Sequence, residues 1–127
     1  MNKPLVLAAI TALTCTALAA QTTKSQIKSV PVMLTPDTDH GTCSIGLQVN
    51  SDGTKLRSGP GTEFPVVAVL KAGHVVSGCN EHNGWDGVID GLDESCSVGI
   101  SVASKRPYSG PCASGWINQS DVTSIYG

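Results

Sequence analysis

The segment Ile45-Gly46-Leu47-Gln48-Val49-Asn50-Ser51-Asp52-Gly53-Thr54-Lys55-Leu56-Arg57-Ser58-Gly59-Pro60-Gly61 carries the pattern that decides the fold. Apolar residues at Ile45, Leu47 and Val49 alternate with Gly46 and Gln48, the period of a strand with one buried face. Asn50-Ser51-Asp52-Gly53 reads as a turn, because Asp-Gly supplies a residue tolerant of positive φ. Lys55-Leu56-Arg57 returns as a second strand, and Ser58-Gly59-Pro60-Gly61 forces a tight loop.

The same alternation of short runs and turns continues outward. Val66–Leu70 is a β-branched run, and Lys71-Ala72-Gly73 turns into a strand from His74 to Cys79. Asn83-Gly84 turns again into Trp85–Ile89, and Gly115-Trp116-Ile117 leads on to Val122 and Tyr126. Strands this short, with turn signals about every 8–12 residues, predict an all-β fold, a small barrel or sandwich. No stretch beyond residue 20 keeps a helical period for three turns. One 3₁₀ turn fits around Asn118–Val122, with Ser120 and Asp121 as capping residues.

Upstream, Lys3 precedes the apolar run Leu5–Ile10, which continues through Leu13 to Leu18, and Ala17-Leu18-Ala19 places small residues where a signal peptidase reads. This is a secretory signal over residues 1–19, cleaved after Ala19. The run is too short and too rich in threonine to span a bilayer, which takes about 20 apolar residues. Thr14 before Cys15 is a poor context for lipidation. Residues 20–42 are polar apart from Val30-Pro31-Val32-Met33-Leu34, and read as a flexible tether with at most one short strand. The domain then runs from residue 43 to 127.

Without Lys3 the balance is 7 basic against 10 acidic side chains, a net charge of −3. No basic cluster favours nucleic acid or an anionic membrane surface. After the signal, four of the five cysteines remain, Cys43, Cys79, Cys96 and Cys112, an even set suited to an oxidising compartment. None is spaced as a zinc knuckle, so two disulfides are expected and no metal. One long connection, Asp90–Pro111, interrupts the rhythm. Cys96 and Cys112 bracket its body, which favours a Cys96–Cys112 link closing an ordered protrusion and leaves Cys43–Cys79 as the second. Four cysteines allow three connectivities, and spacing alone leaves the other two open.

Leu56-Arg57-Ser58-Gly59-Pro60-Gly61-Thr62, Val66–Gly73, Gly84-Trp85 and Gly115-Trp116-Ile117 together resemble the bacterial Src-homology-3-like (SH3-like) domain over roughly residues 45–124. That family pairs an Arg-Ser/Ala-Gly-Pro loop with a Leu-x-x-Gly hairpin and two Gly-Trp pairs. Lys55 stands where asparagine is frequent, and the Asp90–Pro111 insertion replaces a short turn. The Tyr108–Cys112 segment is similar to a cysteine-bounded stretch in an exported subgroup. The resemblance implies a small five- or six-stranded barrel that binds cell-wall material or peptides in the cell envelope, without catalysis or a cofactor.

Five residues are the candidates for ligand contact. Arg57 is the side chain of the Gly-Pro-Gly turn able to add anion specificity, although the turn itself accounts for those glycines. Trp85 and Trp116 are groove or packing aromatics. Arg106 and Tyr108, in the run Lys105-Arg106-Pro107-Tyr108, combine charge, a rigid bend and an amphipathic ring suited to a carboxylate-bearing partner. These are expected to join the insertion to the Arg57–Gly61 turn in one surface. His74, expected in an apolar strand, His82 in a polar turn, and an oxidised Cys79 make a poor cysteine-peptidase set. His40, His74 and His82 form no metal constellation, and Asp90, Asp93 and Glu94 lack calcium-loop spacing. The expectation is a monomeric, periplasmic or secreted, non-enzymatic binding module for peptide or peptidoglycan-derived ligands. The alternative is a protein–protein adaptor or inhibitor acting through the 96–112 loop.

Overall fold

The computed structural model describes residues 27–37 and 39–127. The expected export signal, its expected cleavage site and the first residues of the expected tether lie outside these. Nine strands follow in chain order: β1 (Met33–Leu34), β2 (Ile45–Val49), β3 (Thr54–Arg57), β4 (Val66–Leu70), β5 (Val75–His82), β6 (Trp85–Ile89), β7 (Arg106–Pro107), β8 (Ser114–Asn118) and β9 (Val122–Tyr126). The fold is all-β.

Seven strands form one antiparallel sheet in the order β4-β3-β8-β6-β5-β2-β9, and β1 pairs with β7 in a separate two-stranded sheet. Strands β4 and β9 end the large sheet without pairing to each other, so the expected barrel is not closed. At the β5–β6 hairpin Asn83 and Gly84 both take positive φ, 48° and 86°, the primed geometry that matches the twist of the flanking strands.

Two cores result. Leu47, Val49, Leu56, Leu70, Val76, Val88 and Ile117 pack inside the curled sheet. A second cluster of Leu34, Cys43, Ile89, Cys96 and Val98, with Cys79, Val102, Tyr108 and Cys112 against it, gathers both disulfides, Cys43–Cys79 and Cys96–Cys112. The insertion is therefore not a bare protrusion. It folds back over Ile89, closed by the Cys96–Cys112 link and tied to the N-terminal segment through β1–β7.

That segment corrects the expectation of a tether. Val32 and Leu34 are buried, the Val30 N–H donates to the Ser58 carbonyl (2.8 Å), and Tyr108 N–H donates to the Val32 carbonyl (2.8 Å). The apolar run interrupted by Pro31 supplies Leu34 to the second core instead of linking the domain loosely. Gly41 shows how closely the chains approach: its φ is +79°, and a Cβ there would run into the backbone of Gly99.

Local details also differ from expectation. The 3₁₀ turn occupies Gln119–Asp121, but its cap is Asn118, whose side chain accepts from the Ser120 N–H, not Ser120 or Asp121. A second 3₁₀ turn, Glu94–Cys96, is capped by Asp93. His74 lies in the turn before β5, and β5 reaches to His82. The three buried polar side chains among the described residues are satisfied: Thr42 Oγ1 donates to the Ser97 carbonyl, Thr54 Oγ1 to that of Ser51, and Ser77 Oγ to that of Gly91 (2.6 Å).

Candidate functional site

Arg57, at the end of β3, points its guanidinium into its own loop. Nη1 donates to the carbonyls of Thr62 (3.1 Å) and Phe64 (2.8 Å), so the side chain closes the 58–65 loop. Phe64 in turn lies against Gly59, where any Cβ would meet the ring. Trp85, half-buried at the start of β6, lines with Arg57 a cleft of about 320 Å³ that also takes in Lys55, Asp52, Asn118 and Asp121. The structure thus brings Arg57 and Trp85 together.

The other three candidates have different surroundings. Trp116 is only 2% exposed, and its indole N–H donates to the Val30 carbonyl (2.8 Å), which clamps the N-terminal segment onto β8. Tyr108 packs against the second core and its hydroxyl accepts the Cys112 N–H (3.0 Å). Arg106 is exposed on β7, opposite Leu34. Neither Arg106 nor Tyr108 lines the cleft that holds Arg57 and Trp85.

The insertion and the Gly-Pro-Gly turn nevertheless do meet, through other side chains. Lys105, Pro60, Glu63 and Phe64 line one open groove of about 680 Å³ together with the β5–β6 hairpin residues Asn80, Glu81, His82 and Asn83. Val30, Pro31 and Met33 form its N-terminal wall, and Trp116 lies at its base. The Met33 N–H donates to Asn80 Oδ1 (3.4 Å), which fixes that wall to β5. The groove carries an ammonium, two carboxylates, an imidazole and an apolar floor within one concave surface. A flexible tether at residues 30–34 would leave no such groove, since a quarter of its lining residues come from them. The usable signals were the apolar Val30–Leu34 run and the Asn83-Gly84 hairpin beside an acidic residue and a histidine.

A neighbouring groove of about 440 Å³ lies beyond Glu81, between β2, β5 and β9. At its polar end the Gln119 amide donates to Glu81 Oε2 (3.1 Å) and Asp86 Oδ1 (3.0 Å). Burial lifts the Asp86 carboxyl above its ordinary value. The Gln119 hydrogen bond offsets part of this, and the charge of Glu81 adds to it.

Three further titratable groups have local partners. His74 Nε2 meets Asp90 Oδ1 at 2.7 Å, joining the turn before β5 to the start of the insertion. Asp93 accepts from the hydroxyl and N–H of Ser95, which hold its carboxyl below the usual value. Asp37 accepts from the N–H groups of Asp39 and His40 in an exposed turn, and the His40 and Asp39 bonds lower its pKa. Among the described residues every cysteine is in a disulfide. No helix among them is long and apolar enough to cross a membrane.

Compared with protein-family models, with curated proteins and with solved structures, the chain matches none. The likeness to SH3-like domains rests on the sequence motifs alone.

Proposed function

We propose that the chain is a non-enzymatic SH3-like binding module that takes peptide or peptidoglycan-derived ligands in the cell envelope, periplasmic or secreted. The observation that carries this is the 680 Å³ groove, with Lys105 on one rim and Glu63 and Glu81 on others around an apolar floor. Stem peptides of the wall carry free amines and carboxylates along a short, mostly aliphatic chain, and a groove holding both signs of charge matches them. Few convergent polar groups over an apolar surface are the usual make-up of a small-ligand site. The disulfides support an oxidising, extracytoplasmic setting.

A second reading is a protein adaptor or inhibitor using the 96–112 loop. Its support is the exposed Arg106-Pro107 pair, held by the pairing of β7 with β1 and by the Cys96–Cys112 link. Sedimentation with sheared peptidoglycan separates the two. The first reading expects the protein in the pellet, with Lys105→Glu and Glu81→Lys shifting it to the supernatant. Wild type remaining in solution at low ionic strength refutes the wall-binding reading.

A further inference from the structure

Glu81 on β5 and Asp86 on β6 stand opposite each other across the hairpin, in the register set by the extra residue at Cys79. Like charges in such a cross-strand pair cost stability. The two carboxylates share one neutral donor, Gln119 Nε2, at 3.1 Å from Glu81 Oε2 and 3.0 Å from Asp86 Oδ1, which uses both of its protons. Neither carboxylate is in an ion pair among the described residues. Both line the groove of about 440 Å³ between β2, β5 and β9, and no lysine, arginine or histidine lines it with them. The opposite wall is apolar: Ile45 and Leu47 of β2 and Val122 of β9. Ile45 is 45% exposed, so this wall is open to a ligand.

We propose that this groove binds an aliphatic primary ammonium, the side chain of a lysine residue in a peptide, with the charge between Glu81 and Asp86 and the stem along Ile45, Leu47 and Val122. An ammonium brings three N–H donors and no acceptor, the complement of two facing carboxylates. It supplies the positive charge that the pair lacks, and a partly buried charge is costly until it is paired. Burial raises the pKa of Asp86 and Glu81 raises it further, with only the Gln119 hydrogen bond against them.

Other cations fit less well. A free diamine would lay its second ammonium against the apolar wall, since Glu81 and Asp86 are the only acids that line the groove. A divalent metal ion takes six or more oxygens, and among the described residues no third acidic or histidine side chain joins the pair. The site stands apart from the wall-binding reading, because the two grooves share only Asn80 and Glu81.

NMR titration of the folded chain with Nα-acetyl-lysine N-methylamide tests this. Millimolar binding is expected, with shifts at Ile45, Asp86 and Val122 and at the side-chain amide of Gln119. Nα-acetyl-norleucine N-methylamide keeps the stem without the ammonium and should bind roughly fivefold or more weaker, as should 1,5-diaminopentane. Asp86→Asn and Ile45→Ser should each weaken the lysine derivative by a similar factor, with unchanged spectra away from the groove. The proposal is overturned if the lysine derivative shifts none of these residues, if the norleucine derivative binds equally well, or if Asp86→Asn binds like wild type. Tighter binding of the diamine overturns the assignment to a peptide side chain. Shifts confined to Phe64 and Lys105 overturn this site while leaving the larger groove as a binding surface.

Discussion

At the scale of single residues, the carboxylates differ in what folding does to them. Asp86 is half-buried, so its protonated form is favoured in the folded state and its pKa is raised. The folded state then binds this proton more tightly than the unfolded chain. Its contribution favours folding on the acid side and is lost as the pH rises through the folded value. Asp93 has the opposite sign: the two bonds from Ser95 lower its pKa from 3.8, so its contribution is present above that value and lost as the pH falls. Asp37 follows Asp93 in direction. The expected outcome is that Asp86→Asn gains stability relative to wild type at neutral pH and loses that gain in acid. Asp93→Asn should cost stability at neutral pH and little below the unfolded value. Urea midpoints across the acid range check both, and parallel pH curves for the two variants would contradict the assignment. The candidate binding residues divide by the same chemistry. Trp116, Tyr108 and Arg57 each have a polar atom engaged by the chain's own backbone, and only Trp85 and Arg106 keep their polar groups out of such bonds in the described residues.

At the scale of elements, the insertion behaves as a small structured cap. Its closing disulfide joins residues 16 apart in sequence, and the second spans 36. In the chain-entropy model, removing Cys96–Cys112 with paired alanines costs roughly 3 kcal/mol and removing Cys43–Cys79 roughly 4 kcal/mol. Denaturant unfolding measures both. Hydrogen exchange should show the Cys96→Ala/Cys112→Ala variant losing protection over residues 90–113 and at β1, with β5, β6 and β8 still protected. Loss of protection throughout the large sheet would show that the cap and the sheet are one cooperative unit. The strands of the large sheet were legible in sequence because they are short β-branched or alternating runs, as at Leu47 and Val49, set between turn residues such as Gly53 and Gly84. The pairing of β1 with β7 was not legible. Two residues carry no period, and their partner lies more than 70 positions away, where only the burial of Leu34 against Ile89 and Val98 selects it.

At the scale of the whole molecule, two cores share β6, because Val88 belongs to one and Ile89 to the other. The groove between Lys105, Phe64 and Glu81 lies elsewhere, where the N-terminal segment, the 58–65 loop, the insertion and the β5–β6 hairpin come together. The Arg57-Ser58-Gly59-Pro60-Gly61 turn marked one wall in advance, and the basic run at Lys105 marked another. The acidic hairpin and the N-terminal wall each carry a local signal, Asn83-Gly84 and the apolar Val30–Leu34 run, but that they face one groove depends on contacts between distant segments. The sheet is open, and the expectation of a closed barrel failed at the two ends of the strand order, β4 and β9, which local alternation does not relate to each other.

The most direct test of the binding role is an NMR titration of the folded chain with soluble muropeptides that carry a free amine and a free carboxylate. Amide shifts should concentrate at Glu63, Phe64, Glu81, His82 and Lys105, and weaken together in Lys105→Glu. Titration to millimolar muropeptide without shifts, or shifts confined to the Arg57–Trp85 cleft or the exposed face of the 96–112 loop, would contradict a ligand site in this groove.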